Sequence, residues 1–200
     1  LYSWPSQGEI EDYLTDRNSS EQSVDCLRKF IEIVVAKSKA KHIHLIAHSM
    51  GNDPLLKAIQ NFNPSRYPDS KISQIILVAP DIDRDVFENL ATKILNKVDG
   101  ATLYASRNDI ALKASKKFQN SIRAGDISND GPIVLSGLDT IDVSEISTNI
   151  LSINHNTAIE ERVLLDDISR LIRGMRPPNY RTTSLKEINT SRGNYWQYPP

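Results

Sequence analysis

Cysteine is nearly absent: Cys26 stands alone in 200 residues, so no disulfide can close within the chain. Long apolar runs are missing too. The longest, such as Ile75 to Ala79, fall far short of the ~20 residues that a membrane helix needs. There is no excess of charge, since 24 basic and 25 acidic side chains leave a formal net charge of −1. That balance removes the field that would draw the whole surface to nucleic acid or anionic lipid. An initiator Met, a signal peptide and a helix cap are all lacking before Leu1, an apolar residue in what reads as a strand, so an N-terminal piece is expected to precede it. The lack of disulfide-forming cysteines is compatible with the cytoplasm. With 39% hydrophobic and 24% charged residues, the composition is that of one globular domain able to build a core without covalent staples.

What is present is an alternation of strand and helix signals. Leu1 to Trp4 reads as a strand stub stopped by Pro5 and Gly8. Ser19 and Gln22 read as a capping box opening a long helix, in which Val24, Leu27, Ile31, Val34 and Val35 recur at helical spacing up to the basic stretch Lys37 to Lys41. Cys26, near that stripe, reads as a buried small apolar residue. Strands follow at His42 to Ile46, Ile72 to Ala79, Ala101 to Ser106 and Ile150 to Ile153, and helices at Asn52 to Asn61, Arg84 to Asn96, Asp109 to Gln119 and Thr157 to Arg173. This order implies an α/β fold with a mostly parallel sheet and helices on both faces. The stretch Asn120 to Asn149 reads as loop-rich and as a cover for a site at the carboxyl ends of the strands. Residues 1–173 form the expected domain, and 174–200 a polar tail with an aromatic cluster, Tyr195, Trp196 and Tyr198.

The chemistry centres on Ser49. Leu45-Ile46-Ala47-His48-Ser49-Met50-Gly51 places a serine between an apolar strand and a helix, flanked two residues away on each side by Ala47 and Gly51. Small residues at those positions permit the sharp turn of a nucleophile elbow, which projects the serine hydroxyl beyond the sheet edge. Two metal readings fail. The spacing Asp81, Asp83, Asp85 hints at a calcium loop, but Val86 and Thr92 stand where Gly and Glu are needed. His42 and His44 share a strand face with no third ligand nearby. Neither metal nor cofactor is assigned.

With its elbow, the sequence resembles the α/β-hydrolase superfamily. The segments Ser3-Trp4-Pro5-Ser6, Ala47 to Gly51, Ala79 to Asp83, Leu103 to Asp109, Arg123-Ala124-Gly125 and Asp139 to Asp142 are similar to an uncharacterised, mostly bacterial branch of it, over residues 1 to about 155. The resemblance implies a serine-hydrolase-like fold and brings no known substrate. It also places the first strands of the sheet, with the loop carrying the second oxyanion donor, before Leu1. The first donor would be the N–H of Met50, at the start of a helix. For the base, His42 and His44 precede the elbow and His48 points elsewhere on the turn, which leaves His155, in a loop where the superfamily delivers its base. For the acid, Asp109 gives the order Ser49, Asp109, His155 that the fold uses, while Asp81 and Asp83, one strand earlier, remain alternatives.

Two functions are therefore expected. One is a serine hydrolase cleaving a small-molecule acyl compound, a carboxylic ester first, through an acyl-enzyme. The other is a non-catalytic binding or interaction module on the same fold.

Overall fold

The computed structural model describes residues 1–8, 11–119, 121–146, 158–174, 177–182 and 184–199. Apolar and β-branched runs form the central strands: β1 (His42–His48), β2 (Lys71–Val78) and β3 (Ala101–Ala105). They lie side by side in parallel, with Val78 level with His48 on one side and with Tyr104 on the other. β4 (Asp139–Asp142) continues the parallel order, and β5 (Lys186–Thr190) and β6 (Gly193–Gln197) form an antiparallel hairpin whose second strand runs parallel to β4. The spatial order is β1-β2-β3-β4-β6-β5.

Helices cover both faces because the central strands are apolar on both. Ile75 and Leu77 of β2 point into one core with Leu27, Ile31, Leu56, Ile59 and Phe87, supplied by α2 (Val24–Lys37), α3 (Asn52–Gln60) and α4 (Arg84–Ile94). Ile76 and Val78 point into the other, with Tyr104, Leu112, Ile141, Leu164 and Leu171, to which α5 (Ile110–Gln119) and α6 (Ala158–Gly174) contribute. β1 lies at an edge of the sheet and is the least covered of the three central strands, with Ile46 54% exposed. Among the described residues, no helix is long and apolar enough to cross a membrane.

The N-terminal region departs from the sequence reading. Leu1 to Trp4 forms no strand. Ser19 opens no helix but sits inside α1 (Tyr13–Gln22), and the chain turns at Ser23 before α2. The cause is local: the Ser23 hydroxyl donates to the Ser20 carbonyl at 2.7 Å, competing with the regular helix ladder. Cys26 is exposed rather than buried. The buried stripe of α2 is Leu27, Ile31 and Val35, and Cys26 lies one residue, about 100°, off it.

The second half departs more. The stretch read as a loop-rich cover contains β4, and its Ile127, Ile133 and Leu138 are buried in the first core. Arg84 ties it down by donating to the Ser128 hydroxyl and to the carbonyls of Gly131 and Pro132. The described part of this segment is therefore packed structure and not a movable cover. The C-terminal segment, expected as a tail, supplies the β5–β6 hairpin and completes the sheet, with Trp196 opposite Ile141. The strand expected at Ile150 to Ile153 lies outside the described residues.

Candidate active site

The level register of the strands brings their carboxyl ends to one edge, from which the chain leaves at Ser49, Ala79, Ser106 and Val143. Ser49 follows β1 directly and opens a short 3-10 turn, Ser49–Gly51, that runs into α3. Its backbone has φ +50°, in the left-handed region, which costs a non-glycine residue about 1–2 kcal/mol. Such a conformation persists only where the surroundings over-determine it. The surroundings here are specific: the Ser49 carbonyl accepts from the Asn52 side-chain amide at 2.9 Å and from the Asp81 N–H at 3.2 Å. Gly51 lies against Trp4, where a Cβ would make an ordinary contact with the ring at 3.4 Å. Met50 lies within the same turn, one residue beyond Ser49.

A second strained residue faces the elbow from the end of β2, where Ala79 has φ +43°. The segment Ile122 to Asp126 wedges in beside it. Ala124 N–H donates to the Ile82 carbonyl at 2.8 Å and Gly125 N–H to the Pro80 carbonyl at 2.9 Å, while the Gly125 carbonyl accepts from Ser106 N–H at 2.9 Å. Only glycine fits at 125, because a Cβ would lie 2.6 Å from the carbonyl carbon of Ala79.

The two alternative acids have definite partners. Asp81 is buried and accepts from Arg123 Nε at 2.7 Å and from the Ser115 hydroxyl at 2.6 Å on one oxygen, and from the Tyr13 hydroxyl at 2.8 Å on the other. Arg123 also donates to the Asp81 carbonyl at 2.9 Å. Burial is the main reason that the Tyr13 phenol is held above its ordinary range. Asp83 caps α4, its Oδ1 accepting from the N–H groups of Asp85 and Val86.

Asp109 is buried on the loop after β3, and its Oδ1 accepts from Leu112 N–H at 3.0 Å at the start of α5. That loop is fastened to the end of β4. The fully buried Asp142 accepts from Arg107 Nη2 at 3.2 Å and from Ser144 N–H at 2.9 Å, and Arg107 N–H and the Asn108 side chain bond to Ser144. The same β4 end begins the connection to α6 in which His155 falls. His155 itself lies outside the described residues.

Among the described residues, no three of His, Cys, Asp and Glu gather as a metal site. His42, on the strand before the elbow, bonds through Nδ1 to Ser73 Oγ at 2.8 Å. Sequence reasoning quoted Arg123-Ala124-Gly125 without a role and missed Tyr13, Asn52 and Ser115. A buried polar side chain carries no periodic signal, and its partners come from distant elements.

Comparison with known proteins agrees with this geometry. The family described as alpha/beta hydrolase of unknown function (DUF900) matches residues 1–174. An uncharacterized protein of Nostoc sp. is 24% identical, the match covering 61% of this chain and 40% of the relative. No solved structure matches. A serine on a strained strand-to-helix turn, at the carboxyl edge of a parallel sheet covered on both faces, accords with that family match: the chain belongs to the alpha/beta hydrolase family of unknown function, DUF900.

Proposed function

We propose that the chain carries a serine hydrolase site acting on carboxylic esters, with Ser49 as nucleophile, His155 as base, Asp109 as its orienting acid and the Met50 N–H as one oxyanion donor. The observation that carries the reading is Ser49 at φ +50°, held at the tip of β1 where a reacting hydroxyl would be presented. Asp109 is favoured over Asp81 because Asp81 spends both oxygens on Arg123, Ser115 and Tyr13. Asp83, like Asp109, caps a helix through one oxygen, and Asp109 is favoured over it because it is buried on the loop after β3 and gives the chain order Ser49, Asp109, His155. Asp109 spends one oxygen on Leu112, leaving Oδ2 for an imidazole N–H.

In this mechanism His155 takes the Ser49 proton as Oγ attacks the ester carbonyl, and Asp109 accepts the Nδ1 proton and steadies the imidazolium. The oxyanion forms against the Met50 N–H, at a helix start whose dipole favours negative charge. Collapse expels the alcohol, protonated by His155. A water deprotonated by the same base then attacks the acyl-enzyme and returns Ser49 to its free form.

The test is labelling with a fluorophosphonate probe, read by intact mass beside Ser49→Ala and His155→Ala. One probe mass on the parent chain, lost in both variants, is the expected result. A folded parent chain that stays unlabelled would overturn the reading in favour of a non-catalytic binding module.

A further inference from the structure

We propose that Asn52 is the positioning residue of the elbow, its buried amide tying the Ser49 carbonyl to the end of β2 and so fixing the orientation from which Ser49 reacts. This rests on the serine-hydrolase reading of Ser49 and adds a residue to it that lies outside the triad and the oxyanion site.

Asn52 has no exposed surface. Its Nδ2 donates both hydrogens, one to the Ser49 carbonyl at 2.9 Å and one to the Val78 carbonyl at 3.2 Å. Its main-chain N–H turns back onto the same Ser49 carbonyl. The remaining polar atom, Oδ1, is buried with no hydrogen-bond partner. An orphaned buried oxygen is a cost that an apolar residue of the same shape would escape, so the two donors are what explain an amide here.

Those donors act where the backbone is strained. Val78 is the last residue of β2, next to Ala79 at φ +43°, and Ser49 is at φ +50°. One side chain thus bridges two strained turns on adjacent strands. The other donor to the Ser49 carbonyl from across the site, Asp81 N–H at 3.2 Å, is main chain, and it reaches Ser49 only while the end of β2 keeps its place beside the elbow. Removing the amide leaves the Ser49 carbonyl to the main-chain donors of Asn52 and Asp81 and loosens the hold on its strained peptide, which shifts Oγ from its line of attack.

A residue that merely supports the fold would change stability and leave the reactivity of Ser49 in the folded fraction alone. The test is therefore made on Asn52→Leu, close in shape and without donors, at a temperature where unfolding curves show every protein fully folded. Asn52→Ala is measured in parallel, and takes its place if the leucine variant does not fold. The parent is expected to label at Ser49. The variants should show a maximal labelling rate at least tenfold lower with the probe's half-saturation concentration unchanged. A folded variant labelled within twofold of the parent overturns the proposal.

Hydrogen exchange of peptides spanning residues 49–53 and 79–83 separates this outcome from failure of the underlying reading. If the parent does not label, the hydrolase reading falls and exchange alone judges the clamp. Loss of protection confined to those two peptides supports it, whereas unchanged or uniformly raised exchange overturns it.

Discussion

Two arginines are buried among the described residues, and they are employed differently. Arg123, beside the elbow, meets one carboxylate, Asp81, whose two oxygens also accept from Tyr13 and Ser115. One positive charge faces one negative charge, and the ties reach α1, α5 and the turn after β2. Arg181, just before the C-terminal hairpin, meets two carboxylates, Asp167 at 3.4 Å and Asp139 at 3.0 Å, together with the Thr102 hydroxyl. The Tyr104 hydroxyl also donates to Asp167, whose other oxygen, Oδ1, is buried without a partner. Burial holds the Asp139 carboxyl above its ordinary range although Arg181 pulls it down. The Arg123 cluster stands beside the strained turn after β2, where Ala79 has φ +43°. The Arg181 cluster joins the segment before the hairpin to β3, β4 and α6.

The contrast can be broken most sharply at Arg123. Arg123→Ala leaves Asp81 buried without its counter-charge and should cost about 3–5 kcal/mol in urea unfolding. It should also slow probe labelling of whatever remains folded. Replacing Arg123 and Asp81 together by apolar residues should cost less than the single change, and an additive double-mutant cycle would contradict the coupling.

Arg181→Ala should cost a comparable amount, about 3–5 kcal/mol, because Asp167 is left buried without its counter-charge, while Asp139 is partly exposed and can rehydrate. Its effect should concentrate in the hairpin, with faster proteolysis within residues 184–199 and labelling at Ser49 unchanged. Slower labelling would show that the two clusters are not independent.

Next in size is Gly125→Ala, which drives a Cβ into the Ala79 main chain and should cost about 1–3 kcal/mol. Because the clash is with backbone, a thermal melt should show the loss even though alanine is small.

The smallest effect is one of pH, and it has opposite signs on the two sides. Hydrogen bonds from the Ser6 hydroxyl and the N–H groups of Gln7 and Gly8 hold the Asp16 carboxyl below its ordinary 3.8. Its contribution is therefore complete above that value and is lost as pH falls through the lowered one. Asp139, held high, contributes below its ordinary value and loses that contribution as pH rises through the raised one. In single-tryptophan variants, emission from Trp4 should shift on acidification while emission from Trp196 shifts on raising the pH. A common direction for both would refute the assignment.

The legible part of the fold was the part built on apolar periodicity. β2 and β3 announce themselves because both their faces are buried, and the elbow because a serine between small residues follows an apolar strand. β4 was hidden by its composition. Asp139-Thr140-Ile141-Asp142 has one apolar residue, and Thr140 and Asp142 can be buried only because the Ile133 carbonyl, Arg107 and Ser144 receive them. The hairpin was hidden for the opposite reason, since most of Lys186–Thr190 is exposed and gives no alternation of buried and open positions. At the site, Ser49 was legible from its neighbours in sequence, whereas Asn52, Tyr13 and Ser115 matter through partners that only the folded chain supplies.

The hairpin also sets two clocks for folding. β5 and β6 are joined by a turn at Ser191 and Arg192, so their pairing is local and forms within about 1–10 μs. Isolated two-stranded hairpins are barely stable in water, however, and this one must wait for a partner. That partner is β4, which is reached only after α6 has folded back across the sheet. The pairing of β6 with Ile141 and Asp142 is thus the long-range contact that holds the hairpin in the sheet, and long-range pairings are the slower kind to form.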